Sequence, residues 1–171
     1  MPTPKQSPAA ALRHAADVAL AGTHAAAAVE YATLAVDAEH ERNRRRAANM
    51  HALAALEFAA ARDPNKAFAH ARPALREFLD LRLYHRAPSF YLALLKAAEV
   101  SKLTRLVDAL RTEFSSPIVV YTAEARKESF PATALPVTCP GCGMATRPDL
   151  VDWISDERAE CDFCGAVMDA R

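Results

Sequence analysis

The sequence predicts a mainly α-helical chain that ends in a small module of different construction. Three observations carry this. No glycine occurs between Gly22 and Gly141, and that stretch is rich in Ala, Leu, Glu and Arg, the composition of a helical body. Apolar residues recur through it at helical spacing. Beyond it come all four cysteines of the chain, as two C-x-x-C-G groups.

Met1 to Pro8 holds three prolines and reads as a disordered lead-in, so the helical domain is expected over 9–116. A first helix fits Ala9 to Ala21, ended by Gly22, which favours a left-handed helix cap. Thr23 is an N-cap candidate for a second helix through about Glu41. A third spans about Arg44 to Arg62, with Met50, Leu53, Ala54, Phe58 and Ala61 on one face. Asp63-Pro64 is a start signal, a capping aspartate before proline at the first helical position.

The fourth helix then aligns Phe68, Ala71, Leu75, Phe78 and Leu79, and Pro73 is expected to kink or restart it. Pro88 opens the next stretch, which carries Phe90, Tyr91, Leu94 and Leu95 and then Leu103, Leu106, Val107, Leu110 and Phe114; whether Ser101 caps a new helix there stays open. Ser115-Ser116-Pro117 reads as the end of the body. Ile118-Val119-Val120-Tyr121 favours a strand, and 117–137, with Pro131 and Pro136, reads as a linker. Short connections imply antiparallel neighbours. The pairs at 24–62 and 64–114 resemble helical hairpins of the tetratricopeptide type, with a plain antiparallel bundle as the alternative.

The residues 138–171 carry the chemistry. Cys139-Pro140-Gly141-Cys142-Gly143 is answered by Cys161-Asp162-Phe163-Cys164-Gly165, the two C-x-x-C pairs separated by eighteen residues. A C-x-x-C turn brings two thiolates to one tetrahedral ion, and two such turns at this spacing read as a four-sulfur metal site with Cys139, Cys142, Cys161 and Cys164 as ligands. The glycine after each pair lets the chain double back and aim backbone amides at the sulfurs. One structural zinc is the expected occupant, and a rubredoxin-like iron site uses the same ligands. Disulfides suit a secreted chain, and no secretory signal is visible. A redox pair of thioredoxin type needs a βαβ context that the Pro-rich segment before Cys139 does not offer.

This pattern resembles the zinc-ribbon families over Thr138 to Arg171. The resemblance implies two knuckles at the ends of β-hairpins, an aromatic core of Trp153 and Phe163, and an aliphatic part of Val151, Ile154 and Val167. Pro148 to Ile154 departs from a plain ribbon and fits a short helix with Pro148 at its start. The expected fold class is therefore mainly α, a helical bundle or tetratricopeptide-like body with a small C-terminal β zinc ribbon. Ribbons serve many tasks, so the resemblance names a module and not a job.

Charge narrows the classes. The formal net charge is zero, but residues 1–116 carry 16 Lys+Arg against 12 Asp+Glu and residues 117–171 carry 5 against 9. An acidic ribbon suits a protein partner, or the basic body of its own chain, better than phosphates. Arg42, Arg44, Arg45 and Arg46 form the densest basic run and are the candidate nucleic-acid contacts; the simpler reading is a solvated turn with Glu41 paired to Arg45. The six histidines, His14, His24, His40, His51, His70 and His85, form no H-x-x-x-H pair. There is no phosphate-binding loop, dinucleotide fingerprint or nucleophile–base motif. The expectation is a non-enzymatic cytoplasmic adaptor or regulator, without membrane spans and acting on an unidentified protein partner. A nucleic-acid-binding regulator and a zinc-thiolate redox switch are the alternatives.

Overall fold

The computed structural model describes residues 7–127, 130–149 and 151–170. Six helices, α1 (Pro8–Leu20), α2 (His24–His40), α3 (Arg44–Ala60), α4 (Pro64–Asp80), α5 (Arg86–Val100) and α6 (Thr104–Ala125), precede three short strands, β1 (Asp152–Ser155), β2 (Arg158–Glu160) and β3 (Val167–Asp169). The chain is thus mainly α with a small C-terminal β part. Among the described residues no helix is long and apolar enough to cross a membrane.

The helices follow a rule that the composition hides. The left-handed turn residues fall at Gly22, Arg42, Arg62, Arg82 and Lys102, a spacing of 20 residues. At each, the same two bonds close the preceding helix: Gly22 N–H to the Ala19 carbonyl and Thr23 N–H to Val18, then Arg42 to Glu39 and Asn43 to Ala38, and likewise at Arg62, Arg82 and Lys102. These are Schellman motifs, which satisfy carbonyls left open at a helix end. After four of the turns the next residue, Thr23, Asn43, Asp63 or Leu103, is the N-cap of the following helix, while after Arg82 the cap is His85. Asn43 accepts from the Arg46 amide at 3.0 Å and Asp63 from the Lys66 amide at 3.0 Å. Thr23 instead turns its hydroxyl back to the Val18 carbonyl at 2.7 Å.

Four of these five left-handed positions hold Arg or Lys where glycine is cheapest. A left-handed L-residue costs about 1–2 kcal/mol, while a cation at a helix C-terminus returns about 0.3–1 kcal/mol through the helix dipole. Glycine also loses more freedom on folding. Arg62→Gly is therefore expected to raise stability by about 0.5 kcal/mol, and by more at high salt as the dipole interaction is screened. Urea unfolding at two salt concentrations checks this.

Consecutive helices pack on one another, and α3 also packs on α5 and α4 on α6. Alanine fills the close contacts, with Ala27, Ala28, Ala35, Ala54, Ala55 and Ala59 fully or almost fully buried. Larger side chains, Leu75, Phe78, Phe90, Leu94, Leu110 and Phe114, fill the space among α4, α5 and α6.

Several expectations are corrected. Pro8 belongs to α1, with the Ser7 hydroxyl accepting from the Ala10 amide, and the rest of the lead-in, 1–6, lies outside the described residues. Helix α4 runs through Pro73 without restarting. Helix α5 begins two residues before Pro88, and Ser101 closes it where a new helix start was an option.

Most consequential, the body does not end at Ser115-Ser116-Pro117, and Ile118–Tyr121 is not a strand. Helix α6 continues through them to Ala125, so the first part of the expected linker 117–137 is helical. The reason is the stripe Leu110, Phe114, Ile118 and Ala125, all buried, with the Tyr121 hydroxyl bonded to the Leu79 carbonyl. Burial along one face outweighs one proline and two exposed β-branched residues, Val119 and Val120.

In the C-terminal part the strands form an antiparallel sheet in the order β1-β2-β3. The expected short helix at Pro148–Ile154 is not there: residues Asp152–Ser155 form β1, and Leu150 lies outside the described residues. Its core is also smaller than expected. Phe163, Ala159 and Met168 are buried, Trp153 and Val151 are partly covered, and Ile154 and Val167 face solvent.

Candidate metal centre

Two near-identical loops build the centre. In the first, Thr138 and Ala145 form a β-bridge, the Cys139 amide bonds the Met144 carbonyl at 2.8 Å, and the Gly143 amide bonds the Cys139 carbonyl at 2.8 Å. In the second, between β2 and β3, the Cys161 amide bonds the Ala166 carbonyl at 2.9 Å and the Gly165 amide bonds the Cys161 carbonyl at 2.8 Å. Gly143 and Gly165 hold φ of 78° and 74°, the left-handed region that closes each loop. Amides then point at sulfurs: Gly141 N–H at Cys139 Sγ, 3.3 Å, with the amides of Met144, Phe163 and Ala166 facing Cys142, Cys161 and Cys164.

The four sulfurs lie within 4.8 Å of one another. Cys139 and Cys164 are 3.6 Å apart and Cys142 and Cys161 3.8 Å apart. A tetrahedron with metal–sulfur bonds of about 2.3 Å has sulfur–sulfur edges of about 3.8 Å. A disulfide needs about 2.05 Å. The donor set therefore fits one tetrahedral ion that takes thiolates, such as zinc, and these spacings are not those of disulfides.

The surroundings of the thiols are unequal. Cys161 is pulled below the usual thiol range by the hydrogen bond from the Cys142 thiol and then by the Cys164 and Phe163 amides, against its own burial. Cys142 is pushed up, first by that same shared bond and then by burial.

Gly141 is where the two loops touch. A Cβ there would lie 2.8 Å from Ala166 Cβ and 3.2 Å from Cys164 Sγ, so Gly141→Ala forces the loops apart. Overpacking of this kind costs about 1–3 kcal/mol. The variant is expected to bind zinc about 10- to 100-fold more weakly at about 1.4 kcal/mol per decade, read by chelator competition.

The centre is fastened to the helices. Arg45 Nη1 reaches Asp162 Oδ1 at 3.0 Å, and the fully buried Asn49 donates Nδ2 to the Asp162 carbonyl at 2.8 Å. Asn49 Oδ1 in turn accepts from Arg86 Nε at 2.9 Å. The Arg86 guanidinium sits 4.8 Å from the Phe163 ring centre and 5.6 Å from that of Phe78. Burial lowers its pKa to about 10, only partly offset by the nearby Asp162 charge. On the other side Arg13 Nη1 donates to the Gly141 carbonyl at 2.7 Å. The two residues between Cys161 and Cys164 are therefore the docking key, α3 and α5 supply its lock, and α1 holds the other loop at Gly141.

The arginine run is distributed among acidic partners. Arg44 pairs with Glu77 and lies 3.8 Å from Asp80, Arg45 pairs with Asp162, and Arg46 pairs with Glu41 at 2.9 Å and is buried. Glu41 thus serves Arg46 rather than Arg45. Arg42 is an exposed turn residue. Three of the four are thus engaged with carboxylates of the chain itself.

Sequence reading did not pair the histidines, yet His51 and His70 meet Nδ1 to Nδ1 at 2.9 Å between α3 and α4, with Glu39 Oε1 3.0 Å from His51 Nε2. Phe58 stacks on His70. Burial, and then the His51 charge, hold the His70 pKa below its usual value. Unfolded His70 therefore binds its proton at higher pH than native His70. Its contribution is intact above about pH 6.5 and is lost as pH falls through the lowered native value. Replacing it, as in His70→Gln, is expected to reduce the fall in urea midpoint between pH 7.5 and 5.5.

Among known proteins, no family model, no curated protein and no solved structure matches this chain.

Proposed function

We propose that the chain is a non-enzymatic, zinc-binding adaptor, in which a module of zinc-ribbon type is fixed on a helical array and acts by binding another protein. The observation that carries this reading is the closed set of four sulfurs fastened to α1, α3 and α5 through Gly141, Asp162 and Phe163. Four thiolates fill a tetrahedral ion and leave no position for water or substrate, which is the mark of a structural site. The ion holds Cys139, Cys142, Cys161 and Cys164 in place, and so holds the Asp162-Phe163 key against its lock. Reduced thiolates suit a reducing compartment such as the cytoplasm.

The pairing of Arg44, Arg45 and Arg46 with carboxylates favours a protein partner over a phosphate backbone. The test is native mass spectrometry of the tagged chain taken from its own cells, with and without nuclease. One zinc per chain and a nuclease-resistant protein partner are expected. Recovery of a nuclease-sensitive partner with no nuclease-resistant protein partner would contradict the protein-adaptor reading in favour of nucleic acid.

A further inference from the structure

A cleft of about 620 Å³ opens where the α4–α5 turn faces the C-terminal module. That volume lies within the ordinary range of small-ligand sites, about 300–1,000 Å³. Arg82, Arg86 and Lys127 line it, and so do the rings of Trp153 and Phe130. Its two carboxylates already have cations: Asp162 holds Arg45 and Asp149 holds Arg147, which comes from outside the lining. The wall therefore carries an excess of positive charge.

Arg86 is the residue that needs explaining. Its guanidinium is half-buried between two aromatic rings, and its hydrogen bond goes from Nε to the neutral Asn49. Among the described residues it makes no ion pair with a carboxylate. Desolvating a cation is unfavourable unless an anion is paired with it. The carboxylates near Arg86, Asp162 and Asp149, pair with Arg45 and Arg147 and offset that cost only in part, and a bound anion would offset the rest. Arg82, exposed at its left-handed turn, likewise has no acidic partner among the described residues, and Lys127 shares only the exposed Glu124. The first turn of α5, which starts at Arg86, adds its partial positive charge.

The rings indicate what carries the anion. Trp153 is partly exposed and fixed by its indole N–H to the Pro148 carbonyl at 3.1 Å. Cations beside aromatic faces are the means by which proteins hold a phosphate and stack its base, each stacked base contributing about 1–3 kcal/mol. We infer that this cleft binds a nucleotide unit, its phosphate against Arg82, Arg86 and Lys127 and its base against Trp153 and Phe130. The unit comes from a free nucleotide or from a single strand, and the site is separate from the metal centre and from the arginine run of α3.

Trp153 is the chain's single tryptophan, so its fluorescence reports on this cleft. The zinc-loaded full chain is titrated at low salt with adenosine monophosphate, with an eight-residue oligouridylate and with a phosphoserine peptide. The comparison protein is Arg82→Gly/Lys127→Ala, which changes two exposed residues, and glycine suits the 55° φ at position 82. Circular dichroism confirms that both proteins are folded. Saturable quenching by the mononucleotide or the oligonucleotide, at least ten-fold weaker in the variant, is expected. Quenching by the mononucleotide assigns a free nucleotide, and quenching by the oligonucleotide alone assigns a strand. No saturable quenching by either, an unchanged Kd in the variant, or equally tight binding of the phosphopeptide overturns the inference.

Discussion

Cys161→Ser is expected to take the protein from one zinc per chain to almost none, and to free residues 138–170 from the helices. So small a module cannot bury enough surface to fold alone, and zinc binding in comparable peptides provides about 10–16 kcal/mol, which is folding free energy. Cys161 is the most exacting of the four positions. Its sulfur accepts from the Phe163 and Cys164 amides and pairs with Cys142, and its chain neighbours Asp162 and Phe163 carry the docking contacts. The loss should therefore show twice, as absent metal in elemental analysis and as raised amide exchange in β2 and in the loops. The helices α1–α6 should keep their circular dichroism, since each packs chiefly on its neighbouring helices. A variant that retains one zinc at wild-type affinity would falsify the four-ligand assignment.

Asn49→Ala is expected to destabilise the docked state by about 2–4 kcal/mol, the largest effect of any single helix substitution away from the apolar core. Asn49 is fully buried and bonds in two directions, donating to the Asp162 carbonyl and accepting from the Arg86 guanidinium. Removing it strands a buried carbonyl and one donor of the half-buried Arg86 cation. A hydrogen bond to a charged group contributes about 1.5–3 kcal/mol, and an orphaned buried acceptor costs about 1–3 kcal/mol. The α3 surface is otherwise unchanged, so the effect should appear as weaker zinc retention and faster amide exchange at Cys161–Cys164. Helix content should stay the same. Asn49→Ala and Phe163→Ala should be non-additive, because both act on Arg86. Additive effects in that double-mutant cycle would show that Arg86 does not couple them.

The four-cysteine cluster was legible because a set of residues able to hold a metal is written in residue type and spacing. Two C-x-x-C-G groups carry their own geometry, down to the glycines with positive φ that close each loop. Helix starts with a local chemical signal were legible too: Asp63-Pro64 caps as its side chain requires. What escaped was set by contacts distant in sequence. Helix α6 passes Pro117 because Ile118 and Ala125 have a helical neighbour to bury against. Burial at the β-sheet depends on docking, and so Ile154 and Val167 face water although both are apolar.

Docking itself rests on Asn49 and Arg86, which look like ordinary surface residues of a helix until Asp162 and Phe163 arrive more than 75 positions later. One missed signal was present all along. A basic residue recurs at 42, 62, 82 and 102, a strict 20-residue period, each at the left-handed turn between helices. Reading Arg42 as part of a basic cluster obscured its place in that series.

X-ray absorption at the metal edge of the purified full-length chain tests the central claim most directly. A zinc edge with four sulfur neighbours at about 2.3 Å, at one metal per chain, is the result predicted by the four sulfurs gathered within 4.8 Å. An iron edge, a shell containing nitrogen or oxygen, or a metal-free protein with sulfur–sulfur distances of about 2.05 Å would contradict it.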